Sequence, residues 1–323
     1  MATLLPTLFQ KLLRLGYRAG WAALGLGLLL QFGLKDRVFG LRLLFYAMPK
    51  PCLLGLALLL LVWPGAKIPA RGWAALGATI LALSWFSVSW RSEPPPVSDR
   101  NGSEEVRILF WNLCRPSGLH PGMVEMVKEF QPHIAAFVEP GEKNMEENCR
   151  TYESMLPGYQ AAWMPRGILW LSRVPSRYRE RGKLEGSGAF ARFEVNGLGP
   201  SFPVVVADVY PHPLHWRKGQ LEEVLTHAQG RGDAILAGDF NTPLESALLD
   251  GYRKHFTNAL EAAGTGFKET WPLGLPLLSL DHLWLGPEWE VVEARKVWRT
   301  QHSDHAALLV TVRRKAAGQP NQK

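Results

Sequence analysis

Residues 234–246 read Ala-Ile-Leu-Ala-Gly-Asp-Phe-Asn-Thr-Pro-Leu-Glu-Ser. The opening run is apolar and the Gly, Asn and Pro after it favour turns, so Ala234–Ala237 reads as a buried strand closing on a tight turn. That sets Asp239 and Asn241 just past a strand end, where a rigid sheet can hold a side chain in an open cleft. Alone, the pair is ambiguous, because an Asp and an Asn two residues apart also make an ordinary Asx turn.

Repetition removes much of the ambiguity. The runs Val106–Trp111, Ile134–Val138, Pro203–Asp208, Leu280–Leu285 and Ala306–Val312 also read as strands. At or beside their ends stand Asn112, Glu139, Asp208, Asp281 with His282, and Asp304 with His305. Ile168–Leu171, Phe190–Val195 and Val291–Val297 complete the strand set, and Met123–Phe130 and Trp216–His227 have helical spacing of apolar residues. Many short strands with few helices imply one large mixed α/β or α+β domain.

Carboxylates and a carboxamide without clustered cysteines make an oxygen-rich site. Such a site suits Mg²⁺, or alternatively Mn²⁺, better than zinc. A metal-assisted phosphoester hydrolysis also needs a group that orients or deprotonates water and donors for the developing charge, which Asp and His of this set can supply.

In order along the chain, Ile108-Leu109-Phe110-Trp111-Asn112, Phe137-Val138-Glu139, Gly238-Asp239-Phe240-Asn241, Leu280-Asp281-His282 and Ser303-Asp304-His305 resemble the signature of the endonuclease/exonuclease/phosphatase superfamily. Gly167–Pro175 is similar to a further strand of that family, and the resemblance covers nearly all of 106–313. It implies a four-layer sandwich of two mixed β-sheets flanked by helices, with the site at one edge. It also implies roles: Glu139 as principal metal ligand, assisted by Asn112 and Asp304; Asp239 on the attacking water; Asn241 donating to the phosphoryl group. His305 would contact a phosphoryl oxygen or shuttle a proton, with Asp281 fixing its tautomer.

One departure from the family pattern matters. Many members carry a histidine two residues after a strand-end Asn, whereas this chain has Asp208 and Tyr210 there and His212 two residues later. Either His212 fills the role through a shifted loop, or Asp208 and Tyr210 replace it, which is the favoured reading. Arg217 is placed to reach phosphate, and Trp271 is a candidate for the cleft wall, although packing is the commoner role of a lone tryptophan. His282 should point away from Asp281 on a strand and reads as structural.

The first ninety residues are of another kind. Residues 1–100 hold eleven Lys/Arg and three Asp/Glu, leaving 25 basic and 26 acidic residues for the rest, so the basic excess belongs to the N-terminus. Three apolar stretches, Ala19–Leu34, Leu43–Trp63 and Trp73–Trp90, read as two to three transmembrane helices, with the second interrupted at Pro49-Lys50-Pro51. No small-x-small cleavage site follows the first, which favours an uncleaved anchor over a signal peptide. Lys11, Arg14 and Arg18 argue for a cytoplasmic N-terminus, so three spans make a multi-pass membrane protein whose catalytic domain is extracytoplasmic and two would leave that domain inside; Lys35, Arg37 and Arg42 blunt that signal. Residues 91–105 read as a proline-rich linker and 314–323 as a disordered tail. Cys52, Cys114 and Cys149 form no metal or disulfide framework, with a Cys114–Cys149 bridge left open.

These features imply a membrane-anchored phosphoesterase acting on a phosphorylated substrate, lipid-linked among the options, with the bilayer as partner. A membrane-tethered nuclease is the alternative, disfavoured because residues 101–323 are near neutral overall. A non-catalytic binding module on the same fold is the third reading, against which the full acid, amide and imidazole set speaks.

Overall fold

In the computed structural model, which describes residues 4–93, 105–141, 144–212, 215, 217–299 and 302–315, the apolar runs pair into two six-stranded sheets. In chain order the strands are β1 (Glu105–Asn112), β2 (Ile134–Val138), β3 (Gln160–Met164), β4 (Ile168–Ser172), β5 (Ser176–Lys183), β6 (Ala189–Val195), β7 (Phe202–Asp208), β8 (Ile235–Asp239), β9 (Thr257–Asn258), β10 (Asp281–Leu285), β11 (Trp289–Val297) and β12 (Ala307–Arg314). The first sheet runs β11-β12-β1-β2-β4-β3 and the second β9-β10-β8-β7-β6-β5. Each has one parallel pair near its centre, β1 with β2 and β7 with β8, among antiparallel neighbours.

Side chains alternate across a strand, so each sheet has two faces to cover. Ile108 and Phe110 of β1 and Val204 and Val206 of β7 point between the sheets into one shared core, where Trp170 stacks on Phe193 at 4.1 Å. The opposite face of the first sheet, including Leu109 and Phe137, packs on α5 (Pro121–Phe130) and α6 (Met145–Met155) through Met123, Val127 and Tyr152. The opposite face of the second, including Val205 and Leu236, meets α7 (Arg217–Thr226) and α8 (Asp250–His255) through Leu221, Val224 and Tyr252. The result is a four-layer α/β sandwich with two mixed sheets flanked by helices, as the motif order implied.

The topology fixes where the site lies. Parallel strands end at the same edge, so β1 and β2 deliver Asn112 and Glu139 together, and β7 and β8 deliver Asp208 and Asp239 together. Antiparallel neighbours begin at that edge: Asp281 opens β10 directly opposite Asp239, and His305 stands two residues before the start of β12, the partner of β1.

The chain divides into two compact units, Met1–Trp90 and Arg91–Lys323. The first is helical: α1 (Leu4–Leu29) continued by a π-turn to Leu34, α2 (Arg42–Ala47), α3 (Lys50–Leu61) and α4 (Ile68–Ser89). α1 starts well before the apolar stretch at Ala19, because its early turns are amphipathic rather than uniformly apolar. Among the described residues, α4 is the helix long and apolar enough to cross a membrane; the pair Phe39–Ala47 and Lys50–Leu61, bent by 66°, adds a second if taken as one span. Most of the expected linker, 94–104, lies outside the described residues, as does 316–323 of the expected tail. Arg314, counted with that tail, instead closes β12 against Trp289.

Candidate active site

The site is built around a buried chain of polar contacts. Asp281 is fully buried, and its Oδ2 lies 2.9 Å from His305 Nδ1. Thr270 Oγ1 accepts from the backbone N–H groups of Leu280 and Asp281, fixing that strand start. His305 is held from behind, since its carbonyl accepts from the Trp111 indole at 2.9 Å and its N–H donates to Ser303 Oγ at 3.0 Å. Ser303 Oγ in turn donates to the Asn112 carbonyl. On the open side, His305 Nε2 stands 3.9 Å from both Asp239 Oδ2 and Asp304 Oδ1.

Asp239 is nearly as buried and is gripped by two donors. Asn112 Nδ2 donates to its Oδ2 at 2.9 Å, and the Asn241 N–H donates to its Oδ1 at 2.8 Å. The latter closes the turn in which Asn241 has φ +47°, a conformation asparagine tolerates better than most residues. The Asn241 side chain donates to the Val209 carbonyl at 2.8 Å, which ties the ends of β7 and β8. One of its amide hydrogens is thus spent internally, and only the other is left for a phosphoryl oxygen.

Electrostatics follow from packing acids at low exposure. Burial, and then the charge of Asp281, push Asp239 up to about 7 against the pull of His305, the Asn241 N–H and Asn112. Burial and the charges of Asp239 and Glu139 raise Asp208 well above the usual carboxylate range. Burial would lower His305, yet the charge and hydrogen bond of Asp281, with Asp239 and Asp304 beyond, override it and hold the imidazole at about 10. For Asp304 burial again works upward, but the Trp271 indole, 2.8 Å from Oδ2, and His305 bring it below its ordinary value.

Asp239, Asp281 and His305 offer ligand atoms within 4.8 Å of one another, close enough to hold a metal ion. One detail favours a neighbouring position for a hard cation. His305 Nδ1 is already engaged by Asp281, and a protonated imidazole repels a cation. Asp304 Oδ1 and Asp281 Oδ1 are both buried without a hydrogen-bond partner among the described residues, unsatisfied acids of the kind a cation relieves. Glu139 Oε1 pairs with Arg115 at 2.7 Å, and both Glu139 and Asp304 raise the nearby Cys114 thiol after burial itself. Glu139, Asp304 and Asn112 also carry side-chain oxygens of the kind a divalent ion takes, although Asn112 Oδ1 accepts from the Cys114 N–H.

Beside this centre opens a cleft of about 710 Å³ whose wall includes Arg115, Glu139, Arg166, Gly188, Asp208 and Tyr210. Asp208 and Tyr210 thus face the cleft, whereas His212 is exposed and stands outside its wall. Trp271 binds Asp304 and lies 6.4 Å, ring to ring, from His305, so it shapes the centre. Arg217 departs from expectation: it is 1% exposed and its guanidinium donates to the carbonyls of Tyr210 and Pro211, holding the loop rather than facing the cleft. His282 is structural, its Nε2 2.8 Å from the Thr242 carbonyl. Cys114 and Cys149 are free thiols, which closes the question of a bridge. Arg115 and Arg166 escaped the sequence reading; the only signal was a basic residue close to a strand-end acid or glycine.

Fold and site together define a two-sheet sandwich with an acid–imidazole centre at the carboxyl ends of its parallel strands. The family model for the endonuclease/exonuclease/phosphatase family matches residues 109–305, and the chain belongs to that family, whose members are hydrolases acting on phosphoester bonds. The structure is similar to an endonuclease/exonuclease/phosphatase from Bacteroides vulgatus (TM-score 0.54, 15% identity, 66% of this chain and 100% of that one). It is also similar to a family protein from Bacteroides thetaiotaomicron (TM-score 0.52, 15% identity, 66% and 99%) and to one from Beutenbergia cavernae (TM-score 0.50, 15% identity, 66% and 72%). At such identities the likeness concerns the fold. No curated protein matches the chain.

Proposed function

We propose that this protein is a membrane-anchored, divalent-cation-dependent phosphoesterase that hydrolyses a phosphate ester or pyrophosphate presented at a bilayer surface. The observation that carries this reading is the run of contacts from Asn112 through Asp239 to His305 and Asp281, with Asp304 beside it. Glu139, Asp304 and Asn112 would hold a cation, Mg²⁺ or Mn²⁺ by donor chemistry, which would supply charge neutralisation at the phosphoryl oxygens. Asp239, poised near neutrality, takes a proton from the water whose oxygen bonds to phosphorus as the ester oxygen leaves. His305, kept protonated by Asp281, donates to a phosphoryl oxygen in the transition state. Asp208, Tyr210 and the second amide hydrogen of Asn241 line the approach, and Trp271 orients Asp304.

The anchor reading rests on α1, the bent α2–α3 pair and α4, with many large apolar side chains exposed along them, among them Leu15, Leu29, Leu59 and Leu83. α4 and the bent pair make two candidate crossings among the described residues, which would leave the catalytic unit on the side of the N-terminus; α1 as a third would put it on the opposite side. Of the three basic residues beyond α1 that oppose a cytoplasmic N-terminus, Arg42 is buried, whereas Arg37 is exposed and Lys35 half-buried. On the three-crossing reading the site is extracytoplasmic and acts on a phosphorylated, lipid-linked substrate.

Purified full-length protein assayed with Mg²⁺ or Mn²⁺ against lipid pyrophosphates, phosphomonoesters, phosphodiesters and DNA tests the reading. Cation-dependent turnover of a lipid phosphate, absent in Asp239→Asn, is the expected result. Salt-sensitive DNA cleavage in its place transfers the assignment to a tethered nuclease, and no cation-dependent turnover at all leaves a binding module.

A further inference from the structure

A small pocket of about 150 Å³ opens in the N-terminal unit between the early turns of α1 and the turn that joins α3 to α4. Its wall includes Arg14, Tyr17, Arg18, Trp63 and Gly65, and no carboxylate lines it. Arg14 and Arg18 are one helical turn apart, so both guanidinium groups rise from the same face of α1. The Tyr17 ring packs against Trp63 at 5.9 Å, and its hydroxyl is buried with no hydrogen-bond partner among the described residues. A buried hydroxyl left unpaired costs free energy, so an acceptor brought against it would be bound favourably.

The surroundings indicate where that acceptor comes from. Leu8, Phe9, Leu12 and Leu15 are each more than half exposed on the same helix turns that carry Lys11, Arg14 and Arg18. Such a mixture of bare apolar and basic side chains suits the headgroup boundary of a bilayer, as does a tryptophan at the end of a helix. Two forked guanidinium groups, a hydroxyl donor and an indole at that depth match the phosphodiester of an anionic lipid, which guanidinium binds through paired N–H donors.

We infer that Arg14, Tyr17, Arg18 and Trp63 form a binding site for the phosphate of an anionic phospholipid headgroup, separate from the catalytic cleft. The inference rests on the membrane reading of the N-terminal unit. Bound lipid would pin α1 to the α3–α4 turn and set the depth of the anchor.

The test uses the full chain in neutral detergent, titrated with short-chain phosphatidylglycerol, short-chain phosphatidylcholine or inorganic phosphate, with thermal stability and bound lipid as readouts. Saturable binding of phosphatidylglycerol is expected, weakened about tenfold in Arg14→Gln and in Arg18→Gln and less in Tyr17→Phe. Equal response to phosphatidylcholine, or binding untouched by all three substitutions, overturns the site. Saturation by inorganic phosphate alone moves the site from lipid to free phosphate and overturns the lipid assignment. A parallel measurement of partition into phosphatidylcholine vesicles separates the two claims: a chain that partitions yet shows no headgroup preference refutes this site only, whereas one that fails to partition refutes the anchor.

Discussion

At His305 the arrangement makes one residue depend on another in a way that kinetics can read. Its Nδ1 is committed to Asp281 at 2.9 Å, so only Nε2 faces Asp239 and Asp304. Replacing it by alanine should lower kcat about 10²–10⁴-fold, the usual weight of an acid–base or electrostatic group, and should also lower the unfolding midpoint, because it leaves the buried Asp281 carboxylate without its partner. Asp281→Asn is more diagnostic. The Asp281 charge raises the imidazole to about 10, so its removal lets the pKa fall, and the alkaline limb of the rate profile should move to lower pH. An alkaline limb that stays in place in Asp281→Asn would remove His305 as the group that must remain protonated. Glu139→Gln should act differently, raising the cation concentration needed for half-maximal rate more than it lowers the rate at saturation. Asp281 and His305 were legible as a pair from motif order alone. Arg217 was misread because a basic residue at a helix start looks alike in sequence whether it faces a cleft or, as here, two backbone carbonyls.

Strand β8 shows how tightly an element must be built to deliver Asp239. A Cβ on Gly238 would lie 2.2 Å from the Ala207 carbonyl of β7, its parallel partner, so the glycine is there for close backbone approach. Gly238→Ala should therefore cost about 1–3 kcal/mol of stability and, by parting β7 from β8, lose activity beyond what instability explains; denaturant titration with assays below the transition separates the two. In the facing strand β10, burial lowers His282 to about 4, and the neutral ring sits among Phe240, Trp284 and the Thr242 carbonyl. With the folded pKa below the unfolded one near 6.5, the unfolded chain takes up the proton first. The contribution is fully present above about 6.5 and shrinks as pH falls toward 4, by up to about 3 kcal/mol. His282→Phe should flatten that part of the stability profile relative to the parent, whatever its effect at neutral pH. Strands of this kind, short, apolar and ended by a polar residue, were readable because burial on both faces leaves few other patterns. Ser176–Lys183 was not: the edge strand β5 carries five charged side chains in SRYRERGK and is mostly exposed. Pairing with β6 decides its conformation, and pairing is invisible to local pattern. The polar helix Met145–Met155 was missed for the same reason, since only a few of its residues, Met145, Cys149 and Tyr152, meet the core.

For the whole molecule the question is whether the proposed anchoring changes catalysis or only location. A tethered enzyme meets a surface substrate at a concentration set by the density of that substrate in the membrane, not by its bulk amount. If full-length protein is reconstituted with a turned-over lipid phosphate at fixed bulk concentration, added phosphatidylcholine should slow the reaction in proportion to the falling surface fraction. Hydrolysis of a short water-soluble ester by the same vesicles should not change, because that substrate reaches the cleft at Glu139 and Tyr210 from solution. The contrast follows from separating a helical unit with exposed leucines from a sandwich whose residues beyond position 100 carry near-balanced charge. Equal sensitivity of both substrates to dilution would mean that the added lipid acts on the enzyme itself. Insensitivity of both would mean that the helices place the protein at a membrane without placing its substrate there, and the catalytic unit would then be selecting a soluble phosphoester.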